Sequence, residues 1–160
     1  MKNNIIALLV FCMTCISCST DENANEITAN NLVGVWEISE VRTEPSSSLN
    51  LPKEIADILI TEGCKLLVFT FQENGSATSA SKLNHITFNA TPTGLDVDCP
   101  TQTDTESSSW ELVGDQLTIT PTMGDAETFT IKLSSSTLII AGEDIDASNY
   151  SGTDVVFSKK

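Results

Sequence analysis

From Asn31 to Lys160 the sequence reads as an all-β domain, an antiparallel meander of about eight strands with one short helix between the first and the second. Three observations carry this reading. Apolar residues recur at every second position in short runs, turn-forming residues separate the runs at even spacing, and one stretch, KEIADILITEG, replaces the period of two with a helical one. One strand, one helix and then a run of hairpins is not the order of a βαβ chain, so a parallel sheet is disfavoured.

The N-terminal stretch MKNNIIALLVFCMTCISCST is set aside from the fold. It has one basic residue, Lys2, and then an apolar run from Ile5 to Ile16, which is the length of a secretory signal and too short to span a bilayer comfortably. The run ends in Ile16-Ser17-Cys18, which resembles the lipobox of bacterial lipoproteins, where small residues precede the cysteine that is acylated and becomes the mature N-terminus. Residues 1–17 are thus expected to be a lipoprotein signal peptide and Cys18 the site of a palmitate-type lipid anchor. A plain secretory signal with incidental cysteines is the alternative, and Cys12 and Cys15 are rival anchor positions. Residues 18–30, with the acidic and polar run STDENANEITAN, have no apolar periodicity to bury and read as a flexible tether. Asp21 and Glu22 resemble the signal that carries some bacterial lipoproteins to the outer face of the outer membrane, although a solvated linker has the same composition. The expected location is the bacterial envelope, anchored by lipid to the outer membrane, with surface exposure left open.

Without residues 1–17 the chain has 143 residues, enough for one domain with a real core. That remainder carries 7 basic side chains against 22 acidic ones, a net charge of −15. Such a surface repels phosphate backbones and argues against nucleic-acid binding. No later stretch is long and apolar enough for a membrane-spanning helix, so lipid alone would hold the protein. Once Cys12 and Cys15 are removed and Cys18 is acylated, Cys64 and Cys99 remain as an even pair. Outside the inner membrane a disulfide between them is expected, and closing a loop of that length is worth roughly 3 to 4 kcal/mol in the chain-entropy model. A catalytic cysteine or a metal site finds no support, because His85 is the single histidine and no Cys-x-x-Cys occurs.

The elements follow in order. In NLVGVWEIS, Leu32, Gly34, Trp36 and Ile38 fall on one side of a period-two pattern and Val33, Val35, Glu37 and Ser39 on the other. VRTEPSSSLNLP ends that strand. Ile55, Ile58 and Leu59 then stand at helical spacing, with Pro52 just ahead and Gly63 just past the end, and Cys64 follows directly. KLLVFTFQENG alternates Leu67, Phe69 and Phe71 and turns at Asn74-Gly75, a strong hairpin signal; SATSASKLNHITF can return as a polar strand. Trp110 and Leu112 precede a turn at Gly114-Asp115, and Leu117 and Ile119 follow it. Phe129, Ile131 and Leu133, a serine turn, Leu138 and Ile140, and finally Val155 and Phe157 complete the series.

Taken together, Gly34-x-Trp36, the helix ending at Cys64, FTFQENGSAT, Cys99, SSWELVGDQLTIT and TFTIKLSSSTLII…VVFSKK resemble the lipocalin-like domain of bacterial lipoproteins over Leu32 to Lys159. The resemblance implies an eight-stranded antiparallel up-and-down barrel over residues 31–160. It also implies that Gly34 lets the first strand start close to its neighbours, that Trp36 plugs the closed end, and that a cysteine pair links the helix end to the loop before the Trp110 strand. The last strand offers no arginine to pack over the tryptophan, as classical secreted lipocalins do; Lys159 or Lys160 is only a loose substitute. The similarity is therefore to the bacterial lipocalin-like group rather than to the transport proteins proper.

An eight-stranded barrel is either filled by its own side chains or holds one small ligand. The inward set inferred here is Trp36, Ile38, Phe69, Phe71, Trp110, Leu112, Leu117, Ile119, Phe129, Ile131, Leu138, Ile140 and Phe157, with Phe69, Phe71, Trp110, Leu112, Ile119, Phe129, Ile131 and Ile140 as candidate pocket lining. A core of that composition is what any packed barrel needs, and a ligand, if held, would be small and hydrophobic. His85 reads as a strand or loop histidine. The serine runs read as turns, and no nucleophile elbow occurs. The stretch GEDIDASNYSGTD lacks the EF-hand spacing and reads as a solvated acidic loop. No enzyme motif, cofactor or metal site is expected. Two functions of different class remain: an anchored barrel that binds a small apolar molecule, or a filled barrel acting as a structural subunit toward an envelope protein or a glycan.

Overall fold

The computed structural model describes residues 28–43 and 51–160. The signal segment, Cys18 and nearly all of the tether lie outside the described residues. Among the latter are ten strands: β1 (Gly34–Thr43), β2 (Leu67–Phe71), β3 (Ser76–Ser81), β4 (Phe88–Thr91), β5 (Gly94–Val97), β6 (Asp104–Val113), β7 (Gln116–Pro121), β8 (Glu127–Leu133), β9 (Thr137–Ala141) and β10 (Thr153–Lys159). Eight of them close a barrel in the order β1-β10-β9-β8-β7-β6-β3-β2, every pair antiparallel. The expected all-β up-and-down barrel is the observed fold, and its seam is closed by β1, which pairs with β10 on one side and β2 on the other.

Three local expectations are corrected. Leu32 is not a strand residue: Ala29–Leu32 is a helical turn, α1, and the strand starts at Gly34. The polar return strand stops at Ser81, and a 3₁₀ turn (Leu83–His85) and the hairpin β4-β5 stand outside the barrel between β3 and β6. The turn Thr91-Pro92-Thr93-Gly94 between β4 and β5 is flanked by exposed residues, so no alternation announced the pair. The acidic stretch after β9 begins with a short helix, α3 (Gly142–Asp146), rather than a plain loop.

The second helix, α2 (Leu51–Thr61), lies between β1 and β2 as expected, buries Ile55, Ala56 and Leu59, and packs on β1 and β5. Its end delivers Cys64 to Cys99, and the two are joined by a disulfide with Cα atoms 5.6 Å apart. The bond ties the end of α2 to the segment before β6, where chain length alone would leave 35 positions free.

Inside the barrel the period of two places Trp36, Ile38, Phe71, Leu117, Ile131, Leu138, Ile140 and Phe157 in the buried core. A shift in register between Ile38 and Glu40 advances the β1 alternation by one residue, so Val41 rather than Glu40 is buried, opposite Val155. Fully burying a large apolar side chain is worth about 1.5–3 kcal/mol relative to exposure, and these eight residues, with Leu32, Ile55, Leu59 and Leu66 packed beside them, form one continuous core.

Candidate functional site

The two ends of the barrel are built differently. At the end where β1 starts, Trp36 is fully buried and its Nε1 donates to the Leu32 carbonyl oxygen at 2.7 Å, which pins α1 across the opening. Lys159, opposite Trp36 in the β1-β10 register, holds its Nζ 5.3 Å from the Trp36 ring centroid and donates to the Asn31 carbonyl oxygen at 2.8 Å. Lys159 therefore takes the place over the tryptophan for which the sequence offered no arginine. Gly34 has φ +136°, a backbone conformation that calls for glycine, and a Cβ there would meet Lys159 Cε at 2.7 Å, so the lysine would have to shift from its place over the indole. Lys160 turns outward instead and shares Glu37 with Lys65; the Lys65 hydrogen bond first, opposed by desolvation and supported by the Lys160 contact, holds the Glu37 carboxyl below its ordinary range.

At the other end the inward residues shorten and become polar, and a cavity of about 200 Å³ opens. Its floor is Phe69, Phe71, Ala77, Ile119 and Phe129, and its upper wall is Ser79, Ser108, Glu106, Pro121 and Glu127, with Asp144 and Ile145 of α3 at the rim. Phe69 and Phe71 have centroids 6.0 Å apart, and Phe69 lies 5.2 Å from Phe157. Gly142 positions the rim. A Cβ at that residue would collide with the Tyr150 backbone and Thr153 Oγ1, and Thr153 Oγ1 donates to the Tyr150 carbonyl oxygen at 2.6 Å, so α3 is drawn tightly onto the start of β10. Burial raises the Asp144 carboxyl above its ordinary value, and Glu143 and Glu127 add to the shift.

Of the eight residues expected to line a pocket, Phe69, Phe71, Ile119 and Phe129 line this cavity. Ile131 and Ile140 are buried in the core, each 1% exposed. Trp110 and Leu112 are half-buried against the core and do not reach the cavity; Trp110 stands edge-on to Phe71 and donates through Nε1 to the Gln72 carbonyl oxygen at 3.1 Å. Sequence reading missed Glu106, Ser108 and Glu127. The signal was present: counting back by twos from Trp110 and Phe129 puts all three on the inward face.

The other candidates have local partners. His85 Nε2 lies 2.9 Å from Asp104 Oδ1, and hydrogen bonds from Asn84 first and His85 second hold the Asp104 carboxyl below its ordinary range. Asp146 accepts from the Ser148 and Asn149 backbone and from the Asn149 side chain, turning the acidic stretch back on itself. Among the described residues no group of three or more histidine, cysteine or acidic side chains is placed to hold a metal ion. A second hollow, of about 350 Å³, lies outside the barrel among Leu51, Pro52, Ile55, Leu83, Ile86, Phe88 and Tyr150.

The barrel cavity is suited to shielding an apolar group, and its polar lining consists of hydroxyls and carboxylates at the upper wall and rim. No curated protein matches the chain. Among solved structures, a lipocalin-like protein from Bacteroides uniformis is 17% identical with a TM-score of 0.43, over 81% of this chain and 99% of that one. An uncharacterized protein from Bacteroides eggerthii is 15% identical with a TM-score of 0.42, over 80% of this chain and 98% of that one. The model of the lipocalin-like domain matches residues 32–140, from the α1 residue that accepts the Trp36 hydrogen bond to the ninth strand, and the chain belongs to that family.

Proposed function

We propose that this chain is a lipid-anchored envelope lipoprotein whose lipocalin-like barrel binds a small hydrophobic molecule through its open end. The observation that carries the reading is the asymmetry of the interior. One end is stoppered by Trp36 and Lys159, and the other keeps an aromatic-floored cavity of about 200 Å³. That volume is below the ~300–1,000 Å³ of common ligand sites, so the ligand is compact. Anchoring rests on the Ile16-Ser17-Cys18 stretch and on the acidic run that follows it.

Native mass spectrometry of the protein purified from its own cells tests the binding half: the expected result is a retained small molecule, released on denaturation, in addition to the acyl mass. An empty barrel that also takes up no apolar probe would overturn it. For the anchoring half, Cys18→Ala should move the protein from the membrane to the soluble fraction, and unchanged fractionation would refute the assignment.

A second reading, a structural subunit that meets a protein or glycan partner, is favoured by one observation. Leu51 and Phe88, both on the hollow outside the barrel, are 42% and 45% exposed. Co-purification of a stoichiometric envelope partner that is lost on Phe88→Ser would support it.

A further inference from the structure

We propose that the molecule held in the barrel cavity is a small cationic amphiphile, an amine or guanidine on a compact apolar body, with the body on Phe69, Phe71 and Phe129 and the head among Glu106, Glu127 and Asp144. The inference deepens the binding reading above and rests on it.

The strand register carries the argument. On β8 the inward series runs Leu133, Ile131, Phe129 and then Glu127, while the outward neighbours at the mouth are Thr128 and Thr130. On β6 it runs Leu112, Trp110, Ser108 and then Glu106, while the outward neighbours are Ser107 and Ser109. On β6 and β8 the usual arrangement of a barrel wall, apolar inward and charged outward, is thus inverted at the mouth: hydroxyls face solvent and carboxylates face the cavity. Solubility alone would be served by the opposite placement, which β1 and β10 keep, with Glu40, Arg42 and Asp154 outward and Val41 and Val155 buried.

The three carboxylates differ from the ion-paired acids of β1 and β10. Glu37 is held by Lys65 and Lys160, Glu40 by Arg42, and Asp154 by Lys132. Glu106, Glu127 and Asp144 have neither an ion pair nor a side-chain hydrogen bond among the described residues, and no lysine, arginine or histidine lines the cavity. Like charges at the mouth of an apolar cleft focus a negative potential into it and repel one another; a cationic head relieves that repulsion, and the aromatic faces below favour the same sign. An anionic amphiphile, such as a fatty acid, meets the reverse on all three counts.

The test is calorimetric titration of the full-length protein in zwitterionic nanodiscs, with empty nanodiscs as blank, using three probes of one shape: phenylbutylamine, phenylbutanol and phenylbutanoate. The amine is expected to bind about tenfold or more tightly than the alcohol, with the carboxylate weakest and the preference reduced by salt. In Glu127→Gln/Asp144→Asn, two exposed positions where the fold is not at risk, the ratio of amine to alcohol affinity should fall toward one. Equal binding of all three probes, or tightest binding of the carboxylate, overturns the charge inference and leaves the apolar cavity standing. An amine preference that survives the double substitution overturns it too, by placing the amine elsewhere on the acidic surface. Failure of all three probes to bind sinks the binding reading itself.

Discussion

At the sealed end the inward positions are Trp36, Leu117, Leu138 and Phe157, all fully buried, with Lys159 laid over the indole. At the mouth the same faces of the barrel present Ser79, Ser108, Glu106 and Glu127. One alternation makes both ends, and side-chain volume and charge decide which end closes. Large side chains fill the taper and exclude water; short and ionised ones cannot leave water, so the chain stays open there and α3 only rims it. The difference teaches that the closed end is packed all round, whereas at the mouth β3, β6 and β8 border a cavity while β1 and β10 stay packed through Val41 and Val155.

The sharpest way to break that contrast is to truncate one aromatic at each end. Trp36→Ala should lower unfolding free energy by about 3 to 5 kcal/mol in chemical denaturation, since the residue is fully buried and its hydrogen bond to Leu32 is lost. Phe129→Ala, at a half-buried position over the cavity, should cost well under half of that. Equal costs would mean that the mouth is as much core as the base.

The disulfide belongs to the open half, joining α2 to the segment before β6. Replacing both Cys64 and Cys99 by serine should cost roughly 3 to 4 kcal/mol by releasing the closed loop in the unfolded chain. Thiol labelling of the denatured, unreduced protein should find neither cysteine free. A neutral double substitution would show that the barrel alone fixes the geometry of this half.

The smallest effect concerns Tyr150, the one tyrosine of the sequence, buried where α3 meets β10. Burial, and to a lesser degree Asp146, pushes its phenol up to about 12. The folded value exceeds the unfolded one, so the stability held by the neutral phenol is complete below about pH 10 and is lost as pH rises from there toward 12. Phenolate absorbance of the folded protein should appear late, and Tyr150→Phe should lose this alkaline step. Ionisation near pH 10 in the folded state would show that the open end is looser than the packing of Gly142 on Tyr150 implies.

The parts of the fold that were legible in the sequence are those written in adjacent residues. Alternation from Phe69 to Phe157 announced the strands, Pro52 and Gly63 bracketed α2, and two cysteines left over outside the signal announced their own bond. The β4-β5 hairpin was not legible because all but two of its residues are exposed, so no burial pattern is imposed on them. Lys159 looked like a loose substitute because a lysine so near the chain end has no local reason to turn inward; its partner, Trp36, stands at the opposite end of the domain in sequence.

The sequence by itself determined the eight barrel strands and α2 and, through the period of two, the inward face of the apolar stretches, because a side chain's face depends only on its neighbours along the strand. Tertiary structure alone decided that β1 closes on β10, that Lys159 caps Trp36, and that Glu106 of β6, Glu127 of β8 and Asp144 of α3 share one cavity. These meetings depend on register and closure between segments far apart in the chain, and a free energy spread over many paired strands, rather than any single motif, sets that register.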